Sequence, residues 1–148
     1  MAEELGAIDL GRIVEEAPDA LIFADREGAI RVWNAAAERL FGFSAAEALG
    51  QSLDIIIPEA FRERHWTGFE RALADGDTKY RGQVLPTRAT RKGGGDFYVE
   101  LSFSMPHGAG GEVIGALAQA RDITERFERD RTMRRRLREL EQAPPKAE

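Results

Sequence analysis

Residues 97–104 constrain this chain more than any other stretch. Phe97, Val99, Leu101 and Phe103 alternate strictly with Tyr98, Glu100, Ser102 and Ser104. A two-residue period puts the apolar side chains on one face of a strand and the polar ones on the other. Such a strand belongs in a sheet with one covered face and one solvated face, which is the habit of antiparallel sheets. The covering layer has to come from elsewhere in the 148 residues.

Four more strands are legible around it. Ala20 to Ala24 is a compact apolar run, and Ala29 to Trp33 follows across Asp25-Arg26-Glu27-Gly28, a turn with glycine in its last position. Lys79 to Thr90 alternates loosely, with Pro86 suited to a sheet edge. Arg91 to Asp96 turns it into the strand at 97–104. Val113 to Ile123 is the last strand, and Gly115, Ala116, Ala118 and Ala120 fit a crowded central place.

The remaining segments are helical and supply the cover. Ile8 to Glu16 forms a short amphipathic helix ended by Pro18-Asp19, with Ile8, Ile13 and Val14 as its apolar members. Asn34 caps a helix over Ala35 to Phe41 that Gly42 closes. Ser44-Ala45-Ala46-Glu47 is a capping box, and Leu53 to Ile57 makes about one helical turn. Pro58 to Tyr80 reads as one helix with a stop at Asp75-Gly76. Phe61, His65, Phe69 and Leu73 share one of its faces, so His65 points inward. Thr124 caps a last helix reaching Gln142, polar except for a seam of Ile123, Met133, Leu137 and Leu140. A helix so polar all round makes sense as half of a coiled coil. The fold class is therefore α+β, a five-stranded antiparallel sheet with helices over one face.

Composition narrows the chemistry. The chain has no cysteine, which removes disulfides, thiolate nucleophiles, zinc–thiolate sites and cysteinyl-flavin chemistry together. A net charge of −5 argues against a general nucleic-acid binder, and the acids around Arg134-Arg135-Arg136 balance that run. No apolar run approaches a bilayer span, and Met1 to Leu10 lacks the layout of a signal peptide, so a cytoplasmic location is expected. Nothing resembling a nucleophile elbow, a phosphate loop or a paired-acid metal motif is present, so no catalytic residues are assigned.

Taken together, the chain resembles a PAS domain over residues 8–124. The matching stretches are Ala17-Pro18-Asp19-Ala20, Trp33-Asn34-Ala35-Ala36-Ala37-Glu38, Leu40-Phe41-Gly42-Phe43 and Leu49-Gly50. They continue with Lys92-Gly93-Gly94 and Asp122-Ile123-Thr124-Glu125-Arg126. The resemblance implies an N-terminal cap helix (1–17), a PAS core (18–123), a signalling helix (124–142) and a disordered tail (143–148). It implies a sensory and dimerisation module of a bacterial signal-transduction protein rather than an enzyme. The module would be a homodimer feeding a kinase, cyclase, phosphodiesterase or chemotaxis output, with no nucleic-acid partner and no membrane insertion in this segment. Asp122 and Thr124 would relay the signal from the last strand into the terminal helix.

Ile57-Pro58-Glu59-Ala60-Phe61-Arg62-Glu63-Arg64-His65 also resembles the segment that carries the proximal haem ligand in gas-sensing PAS domains. That likeness implies haem b, with His65 on the iron and Ile55, Ile56, Phe69, Leu73 and Leu101 as walls. The ligand would lie between this helix and the strands at Gln83, Leu85, Phe103 and Leu117. Those relatives place an arginine where this chain has Leu85, and some a methionine where it has Gln83, so the distal side suits carbon monoxide, nitric oxide or redox sensing better than oxygen. Two alternatives stay open: FAD held non-covalently, and a cofactor-free interaction module in which His65 is a half-buried core residue bonded to a backbone carbonyl.

Overall fold

The computed structural model describes residues 8–143. Helix α1 (Leu10–Glu15) is capped by Asp9, whose side chain accepts from the Arg12 N–H. Strands β1 (Ala20–Asp25) and β2 (Ile30–Trp33) form the expected hairpin, with Gly28 at φ +81° closing the turn back to the Asp25 carbonyl. Helix α2 (Ala35–Phe41) starts at Asn34 and stops at left-handed Gly42. Helix α3 (Ala45–Ala48) carries the full Ser44–Glu47 capping box. Two 3-10 turns, Leu53–Ile56 and Glu59–Phe61, lead into α4 (Arg62–Asp75). Strands β3 (Leu85–Thr90), β4 (Asp96–Ser104) and β5 (Gly115–Asp122) follow, and α5 (Thr124–Gln142) is the last element among the described residues.

The strands make one antiparallel sheet in the order β2-β1-β5-β4-β3. The small-residue strand β5 is central, and Pro86 lies on edge strand β3, where its missing N–H leaves no gap in the ladder. Antiparallel partners share a face. The register pairs Ile22 with Ala118, Ala118 with Phe103, Ala120 with Leu101, and Leu101 with Leu85, so these line the helix-covered face. The core sits there, around Ile22, Ile30, Trp33, Phe41, Phe97 and Val99. Trp33 packs against Phe41 and Phe43 and donates its indole N–H to the Phe43 carbonyl at 2.9 Å.

Several expectations shift. The segment 58–80 is not one helix. Its first turn is 3-10, held by the Phe61 N–H on the Pro58 carbonyl, whereas the stop falls where expected, at Gly76 with φ +78°. The strand expected from Lys79 begins only at Leu85, because turns through Arg81 and Gln83, with Gly82 at φ +75°, occupy the interval. The last strand is shorter than 113–123, since Val113 instead bridges back to His107. Ile123 is 7% exposed and belongs to the interior, not to the α5 seam. Thr124 does not cap α5: its hydroxyl bonds strand β4, while the Asp122 carboxylate accepts the Thr124 N–H. Of the three apolar members expected of the first helix, Ile8 precedes it and is exposed, Ile13 is exposed, and Val14 alone is half-buried. The expected tail residues 144–148, like residues 1–7 of the expected cap helix, lie outside the described residues.

Candidate functional site

Helix α4 packs over the covered face and touches β5. The periodic face read from the sequence is the one turned inward: Phe69 is buried, and Phe61, His65, Ala72 and Leu73 are half-buried. The helix is anchored by its neighbour Trp66. The Trp66 indole N–H donates to the Asp54 carboxylate at 2.8 Å, and the ring lies on Gly28, leaving no room there for a Cβ. Arg62 adds bonds to the carbonyls of Ile57, at 3.1 Å, and Asp54, at 3.3 Å.

His65 is the unusual group of this face. Its ring packs edge-on to Trp66 and near Phe69, with centroids 4.7 and 6.0 Å away. Its Nδ1 is shut off from solvent and has no hydrogen-bond partner, so it is not a core histidine satisfied through Nδ1 by a carbonyl. Leaving a buried polar nitrogen unpaired costs about 1–3 kcal/mol. Burial pushes the imidazole pKa below 6.5, and the Asp54 charge opposes this only in part. The ring is therefore neutral at pH 7, the form that coordinates metals. Among the described residues no cluster of three or more acidic, histidine or cysteine side chains could hold a metal ion.

The sheet beneath is sealed at one end and open at the other. Phe97, Val99 and Ala89 are buried, with Phe41 packed edge-on to Phe97 at 5.6 Å. Further along the same face Leu85, Leu101 and Phe103 are only half-buried, as are Ala116 and Ala118 of β5. Ile55, Ile56 and Leu73 are half-buried as well and pack against the core. This incompletely covered apolar half, with His65 on the helix above the sheet, is the candidate binding site.

Two of the residues expected in the wall are elsewhere. Leu117 pairs with Phe23 and Ser104, so the pleat turns it to the opposite face of the sheet. Gln83 lies in the exposed turn before β3, off the sheet altogether. His107 is exposed in its hairpin, as expected of a loop residue. Two surface hollows lie away from His65: one beside Asp19, Arg39 and Arg121, the other between α1 and β2.

At the exit the Asp122 carboxylate accepts the Thr124 N–H, and the neighbours of this pair are not legible in the sequence. Tyr98 stacks on Phe127 with centroids 3.9 Å apart, Arg126 pairs with Glu100 at 2.6 Å, and Arg121 grips Asp19 through two bonds. A signal for Tyr98 existed: it is the one aromatic residue on the polar side of the alternating strand.

The comparisons with known proteins agree with this architecture. Residues 14–128 match the PAS fold family. The chain is 34% identical over 116 residues to the sensor protein FixL of Bradyrhizobium diazoefficiens, covering 78% of this chain and 23% of that protein. It is 32% identical over 123 residues to the signal transduction histidine-protein kinase AtoS of Escherichia coli, covering 82% and 19%. Less than a quarter of each relative is thus spanned. Among solved structures, an RNA-binding light-oxygen-voltage receptor superposes with TM-score 0.73 at 27% identity, over 91% of this chain and 38% of that one. The PAS domain of a Colwellia psychrerythraea protein superposes with TM-score 0.68 at 24% identity, over 84% and 99%. The chain belongs to the PAS family, as a domain of the kind found in sensor proteins of signal transduction.

Proposed function

We propose that this domain is the non-catalytic sensor of a larger signalling protein, and that the open half of its covered sheet face holds haem b through His65. The observation that carries the reading is the buried, unpartnered nitrogen of a neutral imidazole above a half-covered apolar surface. A neutral imidazole is a strong ligand for haem iron, and the ring would turn a nitrogen out of its present packing to reach it. Bound there, haem would supply an iron able to take a diatomic ligand or change oxidation state. His65 would hold the iron, and Ile56, Phe69, Leu73, Leu85, Leu101 and Phe103 would exclude water from the macrocycle. Leu85 has no hydrogen-bond donor, which favours carbon monoxide, nitric oxide or a redox signal over oxygen. The state of the site would pass to α5 and then to an effector of kinase, cyclase, phosphodiesterase or chemotaxis type.

The relatives are sensor and kinase proteins, which supports an output partner in the same or a following polypeptide. The exposed Met133, Leu137 and Leu140 of α5, spaced four and three residues apart, suit a two-helix seam with a second copy. No helix among the described residues is long and apolar enough to cross a membrane.

Titration with haemin tests the site. In a Trp33→Phe variant, Trp66 is the remaining tryptophan and adjoins His65. The reading predicts saturable, near-complete quenching of its fluorescence at one haemin per domain, lost on His65→Ala. Quenching that is weak, non-saturable or unaffected by His65→Ala contradicts it. A yellow protein as purified would assign the same surface to flavin instead.

A further inference from the structure

The root of α5 is fastened to the outer face of β4 chiefly at Tyr98, with the Arg126–Glu100 pair beside it. Tyr98 accepts the Ile123 N–H on its carbonyl at 3.0 Å, and its own N–H donates to the Thr124 hydroxyl at 3.1 Å. That hydroxyl donates back to the Tyr98 carbonyl at 3.3 Å. The Tyr98 ring stacks on Phe127, the planes 18° apart. Tyr98 therefore sets, together with the Arg126–Glu100 pair, the position and the azimuth of the first turn of α5.

The opposite side of Tyr98 leads to α4. Arg88, its partner on edge strand β3, donates to the Tyr98 hydroxyl at 3.3 Å and places its guanidinium 5.7 Å from that ring. The same guanidinium stands 5.9 Å from the ring of Phe61, the last residue before α4. Both separations are within the range where a cation is attracted to an aromatic face. Asp96 stands 4.0 Å from the guanidinium, adding a third tether.

We propose that Phe61, Arg88, Tyr98 and Phe127 form a bridge around the β3 edge of the sheet, and that movement of α4 reaches α5 through it rather than solely through β5. This rests on the sensor reading for its purpose but not for its existence, since no cofactor takes part in it. Tyr98 and Arg88 are positioning residues: they set where α5 points for a given placement of α4. A bridge of this kind transmits only if its two ends are energetically coupled.

Hydrogen exchange of the α5 root, residues 124–129, in the ligand-free full chain provides the test. Tyr98→Ala is expected to speed exchange there about tenfold, through the lost ring stack on Phe127 and the lost contacts to Arg88, the main-chain bonds to Ile123 and Thr124 remaining. Phe61→Ala is expected to speed it about threefold in the otherwise unchanged protein, but by less than about 1.5-fold in an Arg88→Met background. Tyr98→Phe, which keeps the stack, should stay within about twofold of the parent and covers the case in which Tyr98→Ala fails to fold. Exchange in β1 and β2 serves as the control and should not change. If Phe61→Ala acts equally with and without Arg88, or has no effect on residues 124–129 in either background, the bridge is overturned. Haemin binding is a separate measurement, so a failed cofactor assignment leaves this result intact, and the reverse.

Discussion

At the scale of single residues, the fold leans on side chains that satisfy several backbone groups at once. Asn34 is 1% exposed and makes four bonds. It accepts from the N–H groups of Leu21 and Ala37 and donates to the carbonyls of Val14 and Asp19, joining α1, β1 and α2. Read as a helix cap, Asn34 accounted for only one of these. The other three depend on which segments fold back onto it, which a local pattern does not record. Asn34→Ala should lower unfolding free energy by about 3–5 kcal/mol in urea, because buried amide groups then lack partners. Asn34→Asp, which keeps the acceptor but not the donors, should fall between. His65 makes a second prediction at this scale. Its folded pKa lies below the ordinary 6.5, so on acidification the unfolded chain takes up a proton that the folded one resists. Stability should therefore fall as pH drops below about 6.5, and His65→Gln should remove that part of the pH dependence while leaving the profile above pH 7.5 parallel to the parent. An unchanged acid limb in His65→Gln would mean that the ring is solvated.

At the scale of elements, the helix–sheet contacts turn on a few fitted positions. Gly28 combines a left-handed turn with direct contact by the Trp66 ring, so α4 and the β1–β2 hairpin are locked together there. Gly28→Ala should destabilise by about 2–4 kcal/mol from strain and overlap together, and Trp66→Ala in the same chain should recover part of that loss. A Gly28→Ala variant as stable as the parent would show the contact to be slack. Much of the element layout was legible: the turn at Asp25–Gly28, the capping box, the Gly42 stop and the alternation of β4 are local chemistry. What was not legible was partnership. Leu117 is the one large apolar residue of β5, and only its pairing with Phe23 and Ser104 decides that it faces away from the helices. Gln83 precedes the strand expected to carry it, because Gly82 and two turn bonds delay β3. Ile123 fits the α5 seam by spacing, yet tertiary burial takes it into the core.

For the whole molecule, α5 is divided between two roles. Its root belongs to the sheet through Ile123, Thr124 and Phe127, while Leu140, 73% exposed, marks a distal half with no partner in the chain among the described residues. A dimer seam on that half predicts that Leu137→Asp weakens self-association at least about tenfold by analytical ultracentrifugation, leaving amide protection of the β-sheet unchanged. Equal association by the parent and the variant would move the interface elsewhere. The sheet's covered face is likewise divided, solid around Phe41 and Phe97 but incompletely covered toward Leu85, Leu101 and Phe103. On the proposed reading, that division lets one domain be both a stable fold and a receptor. The visible absorption spectrum of the domain, expressed with a haem precursor and purified, tests the receptor claim most directly. The account predicts a Soret band near one haem per chain that disappears in His65→Ala while the far-ultraviolet circular dichroism stays unchanged. A colourless parent protein, or a band of equal height in the alanine variant, would contradict it.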